Sequence, residues 1–169
     1  LKNRFLNYKN YTVYGFLADA SNKKAVVKVY KIKKRPKSKP LSLFVSDIKM
    51  AKELAEINER QEKILRKRWP GKYTFILKRK SGQKLYGVDK KTIAIRIPKH
   101  AFLQKLLKKF NRPLVQTSVN VSSQKPLNKI SDIIKVFGET DMLIIDGGDI
   151  KKGKASKIID LTNNKVVRK

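Results

Sequence analysis

The chain has 169 residues, no cysteine and a formal net charge of +29. The missing cysteine excludes disulfides, thiolate nucleophiles and Cys-ligated zinc, and makes a reducing, cytoplasmic setting the expected one. The longest apolar runs, such as residues 142–145, are far too short to cross a bilayer, so no membrane partner is expected.

A hydrophobic content of 40% is that of a globular chain, and the length suits a single domain over residues 1–169. The missing initiator Met is expected to reflect a trimmed or partial N-terminus. The positive charge has two readings. One is a field that attracts nucleotides or nucleic acid. The other is an AT-rich coding bias, because Lys far outnumbers Arg, and Asn and Ile are plentiful.

In chain order, residues 2–9 read as polar and irregular. Residues 11–17 are rich in β-branched and aromatic side chains and predict a strand entering a turn at Gly15. Ser21 is placed to cap a helix over 22–32, whose Ala25, Val26, Val29 and Ile32 share one face. Then comes Lys33-Lys34-Arg35-Pro36-Lys37-Ser38-Lys39-Pro40-Leu41. Buried unpaired ammonium groups are too costly for this run to be core. Each proline also pushes the residue before it out of the helical region. The run therefore predicts a stiff, extended loop presenting cations and one hydroxyl, which suits a polyphosphate.

Residues 41–45 predict a short strand, Asp47 caps a helix to about 57, and 59–68 predict a second helix stopped by Trp69-Pro70-Gly71. Residues 73–78 read as a strand and 81–89 as an exposed excursion. In the strand 92–97, Ile93, Ile95 and Ile97 face one way and Thr92, Ala94 and Arg96 the other. A helix over 100–110, a strand over 114–117, a loop over 122–128, a helix over 131–137 and a strand over 142–146 follow. Segments 156–161 and 166–168 pair as a hairpin across Asn163-Asn164. Helices and strands that interleave without a repeat predict a mixed α/β fold with a twisted sheet flanked by helices.

Gly148-x-x-x-x-Gly153-Lys154-Ala155 approaches a phosphate-binding P-loop but fails it. Ala155 stands where a Ser or Thr must ligate Mg²⁺, and a strand follows where a helix is required. His100 is the sole histidine, placed at a helix start, so no zinc site or His-based dyad is expected. Glu53, Glu56, Glu59 and Glu62 read as solvated helix faces rather than paired acid–base groups. What remains is cations and hydroxyls at strand ends: Lys33, Arg35, Ser38, Arg96, Thr117, Ser118, Asn120, Ser156 and Arg168. That inventory fits catalysis by positioning and charge neutralisation at phosphorus.

These residues fall into segments that resemble the YrdC/Sua5 (TsaC) family of threonylcarbamoyl-AMP synthases. The basic loop is similar to its Lys-x-Arg-Pro…Pro-Leu segment, and Thr117-Ser118-Val119-Asn120 to its Ser-x-Asn motif. Thr12-Val13-Tyr14-Gly15, Trp69-Pro70-Gly71…Thr74 and Thr92-Ile93-Ala94-Ile95-Arg96-Ile97-Pro98 agree in order. Asp146-Gly147-Gly148 and Ser156…Asp160-Leu161 resemble its last strands.

The resemblance implies a YrdC-like open twisted mixed sheet with a large, positively charged cleft. It implies formation of L-threonylcarbamoyl-AMP and pyrophosphate from ATP, L-threonine and bicarbonate, with Mg²⁺ carried by ATP. A TsaD-type transferase then uses the product to modify tRNA beside the anticodon, and tRNA or double-stranded RNA is an implied partner. It implies Lys33 and Arg35 as catalytic, with Ser38, Thr117, Ser118 and Asn120 joining them on ATP. Asn10, Thr92, Arg96, Ser156 and Arg168 would contact threonine, and no metal ligand from the protein is expected. The chain departs from the family pattern at Asn10, at Phe44 where many members carry histidine, and at Ser123, Ala155 and Lys157. Two other readings compete: a non-catalytic RNA-binding protein with a degraded threonine pocket, and a carbamoyl-adenylate former like the related domain of hydrogenase-maturation proteins.

Overall fold

The computed structural model describes residues 6–9, 14–140, 142–148 and 156–168. Asn10 and residues 149–155, which include most of the P-loop-like segment, lie outside the described residues. Among the described residues, fifteen elements follow one another. They are β1 (Leu6–Lys9), β2 (Tyr14–Asp19), α1 (Lys23–Ile32), β3 (Ser42–Phe44), α2 (Ile48–Leu54), β4 (Ala55–Glu56), α3 (Glu59–Arg68) and β5 (Tyr73–Arg79). Then come β6 (Thr92–Arg96), α4 (Ala101–Phe110), β7 (Leu114–Ser118), α5 (Ile130–Phe137), β8 (Leu143–Ile144), β9 (Lys157–Asp160) and β10 (Lys165–Arg168).

Local chemistry sets the helix starts. The Asn22 side chain, not Ser21, accepts the Ala25 N–H at 3.1 Å and begins α1. Ser21 instead donates its hydroxyl to Asp19. Asp47 accepts the Met50 N–H at 2.8 Å at the head of α2. Asn58 and Gln61 form a reciprocal capping box on α3. α2 is shorter than its pattern predicts. Ala55 and Glu56 leave the helix and pair with Arg79 and Lys78, so sheet hydrogen bonds displace helical ones. Residues 6–9, expected to be irregular, form β1 between β2 and β8, where the backbone ladder overrides a polar sequence.

The strands form one mixed sheet in the order β10-β9-β5-β6-β3-β7-β2-β1-β8, with β4 also on β5. β3 runs parallel to β6, β5 to β9 and β1 to β8, and the other pairs are antiparallel. The two-residue period of the strands divides the side chains between its faces. Phe16, Leu43, Phe75, Ile93, Ile95 and Val115 face a core built with Val26, Val29, Met50, Leu54, Leu65, Ile133 and Phe137 from α1, α2, α3 and α5. On the opposite face, Leu17, Phe44 and Leu114 meet Leu103 and Leu107 of α4. That smaller cluster covers only part of its face. The uncovered part, from β9 through β5, β6 and β3 to β7, is the floor of a cleft.

Candidate active site

The cleft encloses about 420 Å³. Its floor is the alternate set of strand residues: Ser42, Ile76, Thr92, Ala94, Arg96, Gln116, Ser118 and Ile158. Arg35 and Pro40 lie at its rim, with Asp89, Thr117, Ser156, Val167 and Arg168. The register gives the cleft two ends. Ser42 pairs with Gln116, Leu43 with Ile95, and Phe44 with both Arg96 and Leu114. The loop before β3, the start of β6 and the end of β7 therefore share one end. Arg96 lies four residues further along β6, about 13 Å from Thr92. Thr74 and Ser156 share that second end, their hydroxyl oxygens 3.1 Å apart.

At the first end the basic loop is folded rather than extended. Arg35 donates from Nε to the Lys39 carbonyl at 2.9 Å and from Nη2 to the Pro40 carbonyl at 3.0 Å. One guanidinium thus ties the loop into a hook and still lines the cleft. Lys34, Lys37, Ser38 and Lys39 are exposed, and none of them lines the cleft. Lys34 adopts a left-handed φ of 49°, which lets the chain leave α1 sharply.

Lys33 is the largest departure from the sequence expectation. It is 1% exposed and does not line the cleft. Its Nζ donates to the Ser118 carbonyl at 2.6 Å, the Asn120 carbonyl at 2.9 Å and Asn120 Oδ1 at 2.8 Å. The ammonium has three hydrogens and here has three oxygen acceptors, which is how the interior tolerates it. Burial, with the charge of Arg35 nearby, pushes its pKa down to about 7. Asn120 is also buried. It accepts from Ser118 Oγ at 2.7 Å and donates from Nδ2 to the Val121 and Gln124 carbonyls. Lys33 and Asn120 thus brace the turn after β7, while Thr117 and Ser118 reach the cleft.

Thr92 hooks onto Asp89. One carboxylate oxygen of Asp89 accepts the Lys91 and Thr92 N–H groups at 2.8 and 2.9 Å and the Thr92 hydroxyl at 3.3 Å. The N–H groups of Thr92 and Lys91 hold the Asp89 carboxyl below its ordinary range. Asp89 is the only carboxylate lining the cleft among the described residues.

At the second end, Arg96 is buried, donates from Nε to the Gly71 carbonyl at 2.8 Å and lies 5.6 Å from the Phe44 ring centroid. Phe44 thus supports a cation by its ring face. Arg168 donates from Nε to the Ser156 carbonyl at 2.8 Å and from Nη2 to Ser156 Oγ at 3.0 Å.

The structure thus brings Arg35, Thr117 and Ser118 together at one end, and Arg96, Ser156 and Arg168 at the other. It leaves Lys33 and Asn120 beneath the surface, Ser38 outside, and Thr92 on the floor at the Arg35 end. Sequence reasoning missed Asp89, Gln116, Ser42 and Thr74 as neighbours of the site. The period of two that selected Thr92 and Arg96 would have found Gln116 and Ser42, whose side chains hydrogen-bond to each other.

No group of three or more His, Cys, Asp or Glu able to hold a metal occurs among the described residues. Three arginines and several hydroxyls on a half-open sheet face make an arrangement suited to gathering and aligning anions. The Sua5/YciO/YrdC family model, described as telomere recombination, matches residues 2–169, and the chain belongs to that family. A relative from Methanocaldococcus jannaschii is 38% identical over 156 residues, covering 92% of this chain and 73% of its own length. Threonylcarbamoyl-AMP synthase of Buchnera aphidicola subsp. Acyrthosiphon pisum is 32% identical over 165 residues, 95% of this chain and 94% of that protein. The crystal structure of Pyrococcus abyssi Sua5 complexed with L-threonine superposes with a TM-score of 0.85 at 30% identity, covering 95% of this chain. This chain spans about half of that Sua5 chain, 48% of its length.

Proposed function

We propose that the chain is a threonylcarbamoyl-AMP synthase, a nucleotidyltransferase that converts ATP, L-threonine and bicarbonate to L-threonylcarbamoyl-AMP and pyrophosphate. The observation that carries this reading is the pair of arginine-marked ends on one sheet face, Arg35 with Thr117 and Ser118 at one and Arg96 with Arg168 and Ser156 at the other. The kinship with a synthase at 32% identity and with a threonine-bound Sua5 supports it.

The chemistry needs no nucleophile from the protein. The threonine amine adds to bicarbonate and water leaves, giving a carbamate. A carbamate oxygen attacks the α-phosphorus of ATP, the bond to the bridging oxygen breaks, and pyrophosphate departs. Two anions must be held within bonding distance, and like charges resist that. Arg35, with a donor from Thr117, offsets the triphosphate charge at the first end, beside Ser118, whose own hydroxyl proton is held by Asn120. Arg96 and Arg168, with Ser156, take the amino-acid carboxylate at the second. Lys33 and Asn120 act from beneath by holding Ser118 in place. Mg²⁺ arrives on the triphosphate as part of the substrate, at the end that carries Asp89.

The product serves threonylcarbamoylation of tRNA beside the anticodon, through a TsaD-type transferase in the cytoplasm. The +29 charge favours contact with tRNA or double-stranded RNA. No helix among the described residues is long and apolar enough to cross a membrane. The test is pyrophosphate release from MgATP. It is expected to require both L-threonine and bicarbonate, and release that is indifferent to threonine contradicts the assignment.

A further inference from the structure

Thr74 and Ser156 meet beneath the Arg96 end of the cleft, Oγ1 to Oγ 3.1 Å apart. Thr74 is 1% exposed, and Ser156 Oγ is the partner its hydroxyl has among the described residues. A buried hydroxyl whose proton meets no acceptor is penalised by its lost hydration. The Thr74 hydroxyl is therefore the donor of this pair and Ser156 the acceptor. Ser156 Oγ also accepts from Arg168 Nη2 at 3.0 Å. A serine hydroxyl has two acceptor lone pairs and one proton. With Thr74 on one lone pair and Arg168 on the other, the Ser156 proton is left to point into the cleft, which Ser156 lines.

We propose that Thr74 is a positioning residue that, with Arg168, fixes Ser156 as a hydrogen-bond donor toward the carboxylate of the bound amino acid. This rests on the synthase reading above. The reverse arrangement, with Ser156 donating to Thr74, strands the buried Thr74 proton. It also turns a Ser156 lone pair toward the cleft, where it repels a carboxylate. Arg168 grips the same residue twice, through the main-chain carbonyl and the hydroxyl, so Ser156 is held in both position and polarity. Its donated bond to a carboxylate is charge-assisted.

The test measures L-threonine binding by calorimetry with a non-hydrolysable ATP analogue present, together with the KM of each substrate in pyrophosphate release. Thr74→Val keeps the shape and removes the donor. It is expected to weaken threonine by about fivefold, the equivalent of one ordinary hydrogen bond, with ATP affinity changed less than about twofold. Thr74→Ser restores the donor and is expected to restore threonine affinity. Ser156→Ala loses affinity as well, and adding Thr74→Val to it costs less than about a further twofold, because Thr74 acts only through Ser156. If valine at 74 does not fold, Thr74→Ala carries the same expectations. The proposal is overturned by unchanged threonine affinity in the variant, by equal loss for ATP and threonine, or by losses that multiply in the double variant. A wild-type protein that binds no threonine overturns the synthase reading and this proposal with it. Wild-type binding that Thr74→Val leaves untouched overturns this proposal alone.

Discussion

Lys33 carries a charge into the interior because three oxygens await it, two of them main-chain carbonyls at the turn after β7. Its aliphatic stem adds packing, and its Nζ lies 5.7 Å from the Phe16 ring centroid. Removing the amine leaves those acceptors unpaired. Lys33→Met is therefore expected to lower the unfolding free energy by about 3 kcal/mol or more, read by urea denaturation. The pH dependence has a definite sign. The folded-state pKa is about 7, below the ordinary 10.5 that the unfolded chain recovers. Between those values the unfolded chain binds more protons than the folded one, so this residue's contribution makes the fold more stable as pH rises through that window. The stability difference between wild type and Lys33→Met is expected to widen from pH 7 to pH 10. A difference that stays flat or narrows rules out the depressed pKa.

The loop from Lys33 to Leu41 works as a hook whose inner member is Arg35, with Lys34, Lys37 and Lys39 on the outside. Arg35→Ala loses both the cleft-lining guanidinium and the two carbonyl bonds that shape the loop. It is expected to reduce ATP turnover by about 100-fold, whereas alanine at Lys34, Lys37 or Lys39 changes it less than about twofold. Steady-state pyrophosphate release compares them, and equal losses in the two sets refute the hook. Element types were widely legible because periodicity and caps are local: α3 matches its predicted range, and Ile93 and Ile95 are buried opposite Thr92 and Arg96 as alternation requires. The strand β1 was not, since its pairing with β2 and β8 is set by distant segments. Lys33 was misjudged for a related reason. Its acceptors lie more than eighty residues away, on a turn whose approach no local pattern reveals. The residues that the resemblance marks divide in the structure: Arg35, Thr92, Arg96, Thr117, Ser118, Ser156 and Arg168 line the cleft, while Lys33 and Asn120 lie buried beneath it.

Across the whole molecule, a sheet with one helix-covered face and one half-open face leaves a cleft whose lining, among the described residues, holds one carboxylate, Asp89, and no histidine. The surface field is a separate property. Basic residues gather in the last turns of α3 and α4, which also complements their helix dipoles. RNA binding through such a field releases counterions, so affinity is expected to fall steeply and linearly in log–log form with salt, measured by filter binding. Arg35→Ala, in the cleft, is expected to change that affinity less than about twofold, and salt-insensitive binding refutes the electrostatic account. In the proposed reaction, the two ends of the cleft join threonine to the α-phosphate of ATP through a carbamate. The direct measurement supplies MgATP, L-threonine and ¹³C-bicarbonate and analyses the products by mass spectrometry. Threonylcarbamoyl-AMP bearing one ¹³C atom, formed in equal amount with pyrophosphate, is the expected result. ADP and phosphate, or AMP without the labelled adduct at the earliest times, would contradict it.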